Sequence, residues 1–400
     1  MASDSELSEE ELDVSHGDRV RYHCYTSKHE RYQFDFTDEE RGETMRAMQD
    51  NATLLRSLYD RGVPFFSKQI FRDLVSQLDH GRANPRPATG AEAHVIRIPT
   101  VDGSFVECEL EAGRVVRLGV PGDPQSPDQE IVMRDPHLDY RTFQRLSLVD
   151  DPSWFSPYLA RCPCRLIYPL DVRQISTGEI INPWDKEPAE DVQIVFDKAV
   201  RAWEDSDECR RLRSAFENAP LPTINNIVAF ACSSMLGKDD RSRAATQHAL
   251  ILTMRDIIAK RQPGAQSQTQ IKCFAQDPFY AKADVEVLGR SGITILEDPR
   301  AFLKVDDQSL VISFHPNIPV RQIITDIARP AVMIWNRVES EAELDASWQA
   351  TGEVYNPAFM TDPESSRVRD MVRDHYLKRP IAIGPEEMFG SGAAVYIRRD

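Results

Sequence analysis

Between Asn225 and Arg337 four short apolar runs each stop at a polar cluster, and this pattern restricts the fold more than any other stretch of the chain. Ile227 to Ala231 breaks into Cys232-Ser233-Ser234, and Ile271 to Ala275 into Gln276-Asp277-Pro278. Leu310 to Phe314 runs into His315-Pro316-Asn317, and Ala331 to Trp335 into Asn336-Arg337. With the segments between them, the order reads strand, helix, strand, helix, strand, strand, helix, strand. Such alternation predicts an α/β core: a Rossmann-like, doubly wound, mostly parallel sheet covered on both faces. In these sheets ligands sit outside the carboxyl ends of the strands. The four polar clusters are therefore expected to share one edge.

An α+β region is expected in front of this core. Thr37-Asp38-Glu39-Glu40 has the form of a capping box, and Met45, Met48, Leu54, Leu55 and Leu58 follow at helical spacing until Gly62 and Pro64. A second helix starts at Ser67 and buries Ile70, Phe71, Leu74 and Leu78, after which 84–90 reads as a linker. Three β-like runs, Val95 to Ile98, Ser104 to Leu110 and Arg114 to Leu118, predict a small antiparallel meander. Val192, Val195, Phe196, Ala199, Val200 and Trp203 fit one helix face, and Ser206 caps a further helix carrying Leu212 and Phe216. The expected division is a tail at 1–18, a helical region at 19–90, the α+β region at 91–220, the sheet domain at 221–340 and an extension at 341–400. Val395-Tyr396-Ile397 in that extension has the makings of an edge strand.

Charge narrows the partners. The net charge of -16 argues against the basic surface that nucleic-acid binding ordinarily needs. Asp4 to Asp13 is acidic without a basic residue, so the tail is expected to be disordered. No apolar run of about 18 residues and no charged-then-apolar leader occurs, so neither a membrane span nor secretion is expected. Seven scattered cysteines then suit reduced thiols in the cytoplasm or nucleus.

Phe230-Ala231-Cys232-Ser233-Ser234-Met235, Thr246-Gln247 opening a helix, Gln276-Asp277-Pro278-Phe279 and Leu288-Gly289-Arg290-Ser291-Gly292 together resemble the domain of the sensitivity-to-red-light-reduced family (the SRR-like domain). Phe314-His315-Pro316-Asn317 and Ile334-Trp335-Asn336 are similar to its last two strand ends. Relative to that pattern, Ala231 and Ser233 replace two glycines of the first loop, Pro316-Asn317 replaces a Pro-His pair, and Trp335 replaces a glycine before Asn336. The resemblance carries over Ser234, Gln247, Asp277, Pro278, Pro316 and Asn336. It implies a regulatory or signalling role, with ties to light and clock signalling, cytoskeletal stability and haem metabolism. It brings no agreed reaction.

Each site residue has two readings. Small residues at Ala231 to Ser234 either let a nucleoside-containing cofactor such as S-adenosylmethionine approach or merely permit tight strand-to-helix packing. Without a glycine before Gly237, close approach of a phosphate is hindered. Asp277 either accepts from ribose hydroxyls or starts the next helix with Pro278. His315 near a carboxylate is a general acid or base, or a loop residue satisfied by backbone. Arg337 holds an anion or pairs with Glu339 or Glu341. The Cys162-Pro163 dipeptide resembles haem-responsive motifs, against a buried structural pair with Cys164. No metal-ligand spacing, nucleophile elbow or phosphate-binding loop is found. The expected ligand set is Ser233, Ser234, Gln247, Asp277, Pro278, His315, Asn317 and Asn336. Two functions follow: a regulatory protein that binds a small nucleoside ligand or a protein partner, or an S-adenosylmethionine-dependent transferase.

Overall fold

The computed structural model describes residues 25–26, 37–83, 94–118, 128–150, 155–157, 159–181, 187–217, 219–236, 241–262, 271–351, 356–380 and 392–399. The acidic tail and the 84–90 linker lie outside the described residues. Across the pattern read from sequence the chain forms β1 (Asn226–Phe230), α1 (Arg241–Arg261), β2 (Lys272–Gln276), α2 (Lys282–Arg290), β3 (Ile293–Ile295), β4 (Ser309–Ser313), α3 (Val320–Ile327) and β5 (Val332–Asn336). There follow α4 (Glu341–Thr351), α5 (Ser366–His375), β6 (Tyr376–Pro380) and β7 (Ala393–Arg398).

These seven strands make one sheet in the order β3-β2-β1-β4-β5-β7-β6. The first five run parallel, and β7 runs antiparallel to both β5 and β6. The Val395-Tyr396-Ile397 segment is thus an interior strand, and β6 takes the edge. The chain turns back on itself between β1 and β4: β2 and β3 build outward on one side, β4 and β5 on the other. Sheets of this kind open a crevice at that point of reversal.

Alternate residues of β1 serve opposite cores, as the period of two requires. Ile227 and Ala229 join a core with α1, α2 and the helices Ala189–Glu204 and Asp207–Glu217. Val228 and Phe230 join a core built with the N-terminal half. Helix α1 is buried nearly all round, because small residues such as Ala244, Ala245 and Ala249 let it lie between the sheet and those outer helices. Trp203 of the outer layer donates its indole N–H to Thr253 Oγ1 at 2.9 Å. On the other face Phe71 stacks on Phe302, and Phe302 on Phe230, with centroids 5.3 and 4.4 Å apart. Each such pair contributes roughly 0.5–1.5 kcal/mol beyond its buried area.

The front region starts with the capped helix Asp38–Asp60, where Thr37 and Glu40 close the box reciprocally. The helix Lys68–Ala83 follows and buries Phe71, Leu74 and Leu78. Only part of the expected meander forms. Val95–Pro99 pairs with Phe105–Glu109, but Val115–Leu118 pairs with Gln129–Met133 in a separate four-stranded sheet. The cause is local: Gly113 turns at φ 80°, and Gly113 and Arg114 trade backbone hydrogen bonds with Met133 rather than with the hairpin.

Helix α3 fastens the front region and the C-terminal segment to the sheet. Arg321 is buried between Asp362 and Glu364. Asp326 accepts from the Phe65 and Phe66 N–H groups and pairs with Arg367. Gln322 accepts from the Phe143 N–H and donates to Gln144. A second junction lies at Asp298, a buried carboxylate that accepts from Tyr140 O–H, the Leu138 N–H and Gln276 Nε2. Among the described residues, no helix is long and apolar enough to cross a membrane.

Candidate functional site

The loop after β1 occupies the carboxyl edge at the reversal point, and its backbone is unusual. Ala231 has φ 57° and Ser233 φ 62°, both in the left-handed region that glycine adopts freely and other residues avoid. His315, at the carboxyl end of the neighbouring β4, has φ 46°. Among the described residues these are the three non-glycine positions with positive φ. All three lie at the carboxyl ends of the neighbouring strands β1 and β4, where Phe230 and Ser313 are register partners.

Two carboxylates hold the first loop in this shape. Asp277 Oδ2 accepts the Ser233 N–H at 2.8 Å while Oδ1 accepts the Phe279 N–H at 2.9 Å. Asp284 accepts the Ser234 hydroxyl at 2.6 Å, the Met235 N–H at 2.9 Å and the Ala281 N–H at 2.9 Å. Ser234 Oγ in turn accepts the Leu236 N–H at 3.0 Å. Burial raises both carboxyl pKa values, and the hydrogen bonds oppose that rise. Asp277 therefore closes a tight turn on Phe279; it does not start α2, which begins at Lys282 with Ala281 as its N-cap. Its oxygens each keep a lone pair for one further donor.

Asn336, the last residue of β5, holds His315 from the next strand end. Its Oδ1 accepts the His315 backbone N–H at 2.8 Å, and its Nδ2 lies 2.8 Å from His315 Nε2. With Oδ1 fixed as acceptor, Nδ2 donates, so Nε2 is unprotonated and the ring carries its proton on Nδ1. The histidine is exposed but oriented. Thr361 donates to the Pro316 carbonyl at 2.8 Å and ties this loop to the C-terminal segment.

The sequence-derived set thus divides. Ser233, Ser234 and Asp277 meet through hydrogen bonds, and so do His315 and Asn336. Pro278 and Asn317 are exposed at the rim. Gln247 does not open its helix, because α1 begins at Arg241; it lies in the second turn, 2% exposed. Arg337 is paired with Glu339 and Glu343, while Glu341 pairs with Arg369 instead. Cys162 is fully buried, and burial pushes its thiol up to about 12, which disfavours the thiolate that a haem iron would need. Cys164 beside it is equally buried. Among the described residues no three His, Cys, Asp or Glu side chains are grouped to hold a metal ion.

Sequence reasoning passed over three residues beneath the loop. Asp284 is the principal strap, and its position three residues after Ala281, in the first turn of α2, was the available signal. His248 is wholly buried, with Nδ1 2.6 Å from the Ala244 carbonyl and Nε2 2.7 Å from Tyr280 Oη. The carbonyl can only accept, so Nδ1 carries the proton and Nε2 accepts from the tyrosine. Burial lowers the His248 pKa to about 4 and keeps the ring neutral. A histidine set among Ala, Leu and Ile in α1 was visible in sequence as an anomaly. Tyr280 also lies close to Cys232 of the first loop, so the loop rests against the His248–Tyr280 pair.

The family model for the SRR1 domain matches residues 209–373. This chain carries an SRR1 domain. The match opens within the helix Asp207–Glu217 and closes in α5, so the SRR1 domain takes in β1 to β5 and the outer helix before them. Both straps of the first loop and the His315–Asn336 pair fall within the SRR1 domain, whereas β6 and β7 lie beyond the matched residues. No curated protein matches the chain.

Proposed function

We propose that this protein is regulatory and works by binding, with a small nucleoside-containing ligand held at the carboxyl edge between β1 and β4. The observation that carries this reading is the gathering of Ala231, Ser233 and His315, in left-handed backbone, around one crevice. Such conformations cost of order 1–3 kcal/mol each and persist where the surroundings impose them, above all at ligand sites. Here buried carboxylates and an asparagine impose them. The β3-β2-β1-β4-β5 order supports a Rossmann-like, doubly wound assignment, and ligands of that fold occupy this crevice. Asp277 is available to ribose hydroxyls, and Ser233 and Asn336 line the two sides. A protein partner and residence in the cytoplasm and nucleus belong to the same proposal.

One observation favours a transferase as the second reading. Small residues in the first loop, with Asp277 held against the Ser233 N–H, also suit S-adenosylmethionine, although a fold does not supply a reaction. Thermal shift with S-adenosylmethionine, S-adenosylhomocysteine, nicotinamide dinucleotides, nucleotides and haem tests the site. A ligand at 100 times its Kd raises stability by about 2.7 kcal/mol. A shift that Asp277→Asn reduces supports the nucleoside site. No shift with any of them removes it and leaves binding to a protein partner.

A further inference from the structure

We propose that the start of α1 forms a subsite for an anionic group on the ligand, with Arg243 as its counter-ion and Gln247 as acceptor for a neighbouring donor group. This deepens, and rests on, the reading of the carboxyl edge as a nucleoside site. Arg243 is the third residue of α1 and half-buried. It has no hydrogen-bond or ion-pair partner among the described residues, while Arg241 two positions earlier is paired with Glu187. Its charge reaches the first loop, where it favours the Cys232 thiolate against the burial that opposes it. Gln247 follows four residues later and so shares the Arg243 face of the helix.

The glutamine supplies the second, independent sign. Its side chain is 2% exposed, yet Oε1 has no hydrogen-bond partner. Buried amide oxygens are nearly always satisfied, and an orphan of this kind calls for an absent partner. It is one helical turn from the Arg243 guanidinium, which has no partner among the described residues. A group that donates beside an anion answers both residues at once. The first turn of this 21-residue helix adds positive potential in the same place. Of the acids nearby, Glu187 is paired with Arg241, while Asp277 and Asp284 accept only neutral N–H and O–H donors of the loop and are not cancelled, so Arg243 and the helix start must supply the attraction for the anion.

Two nucleoside derivatives carry an anion beside a donor: a nucleotide, through its phosphate and ribose hydroxyls, and a nucleoside bearing an amino acid, through its carboxylate and ammonium. Calorimetric titration of the whole chain with adenosine, AMP and S-adenosylhomocysteine separates them. One charged ligand is expected to bind more tightly than adenosine, and the one that does identifies the anion. Arg243→Gln is expected to weaken that ligand about tenfold or more and leave adenosine unchanged, with Arg243→Lys intermediate. Gln247→Met, similar in volume, is expected to weaken the same ligand without destabilising the free protein. Equal binding of adenosine and both charged ligands, insensitive to Arg243→Gln, removes the subsite and leaves the nucleoside site standing. Equal weakening of all three ligands by Arg243→Gln also removes it. Binding of none of the three removes the subsite together with the site it rests on.

Discussion

Buried carboxylates do opposite work at the two ends of α3 and at the carboxyl edge of the sheet. Around α3 they meet arginine: Asp362 and Glu364 enclose Arg321, and Asp326 meets Arg367. At the edge, Asp277 and Asp284 meet only N–H and O–H groups of a loop in left-handed conformation. The first arrangement neutralises charge and fastens the C-terminal segment to α3, with Asp326 also accepting the Phe65 and Phe66 N–H groups of the N-terminal half. The second leaves charge uncompensated and holds a costly backbone shape. A region that only needed to be stable would not be built in the second way, and the contrast directs attention to the loop.

The largest expected effect breaks the first arrangement. Arg321→Ala leaves two buried carboxylates without a counter-ion and is expected to cost about 3–5 kcal/mol, read from urea denaturation. Next comes Asp298, which burial raises to about 6 despite its three hydrogen bonds. Because its folded pKa exceeds the ordinary carboxylate value, the folded protein holds this proton longer than the unfolded chain. Stability from this group is present below about pH 4 and is lost as pH rises toward about 6, by up to about 3 kcal/mol. Asp298→Asn is expected to flatten that slope in denaturation curves taken across the range.

Two smaller effects sharpen the second arrangement. Asp284→Asn puts an amide where the loop needs acceptors and is expected to cost about 2 kcal/mol. Arg321→Ala would loosen the attachment of the C-terminal segment at Asp362 and Glu364, whereas Asp284→Asn should expose Cys232 first; the rate of Cys232 labelling by a thiol reagent distinguishes them. Ala231→Gly relieves the left-handed strain and is expected to stabilise the free protein by about 0.5–1 kcal/mol, a small rise in Tm. A fall in Tm instead would show that Ala231 is not strained where it stands.

The eight elements from β1 to β5 were legible because apolar runs and polar stops are local in sequence. The runs beginning at Ile227, Ile271, Leu310 and Ala331 fall within a residue of the strands observed. What joins to what was less legible. The pairing of Val115–Leu118 with Gln129–Met133, and the burial of β7 inside the sheet, are decided by partners distant in sequence. The site divided in the same way. Asp277 and Asn336 stood at strand ends and could be named, but Asp284 looked like an ordinary first-turn acid and His248 like part of an apolar helix. Their roles depend on the first loop folding down onto them, which no single segment reveals.

The last two strands also set a timetable. The edge strand β6 is made first, and its one neighbour, β7, lies at 393–398, so during synthesis Tyr376–Pro380 must wait with its backbone groups unpaired. The flank of β5 waits with it, since β7 is also its partner there. The nascent chain thus carries open strand borders until residues 393–398 have left the ribosome, and in that interval those borders are exposed to wrong pairing.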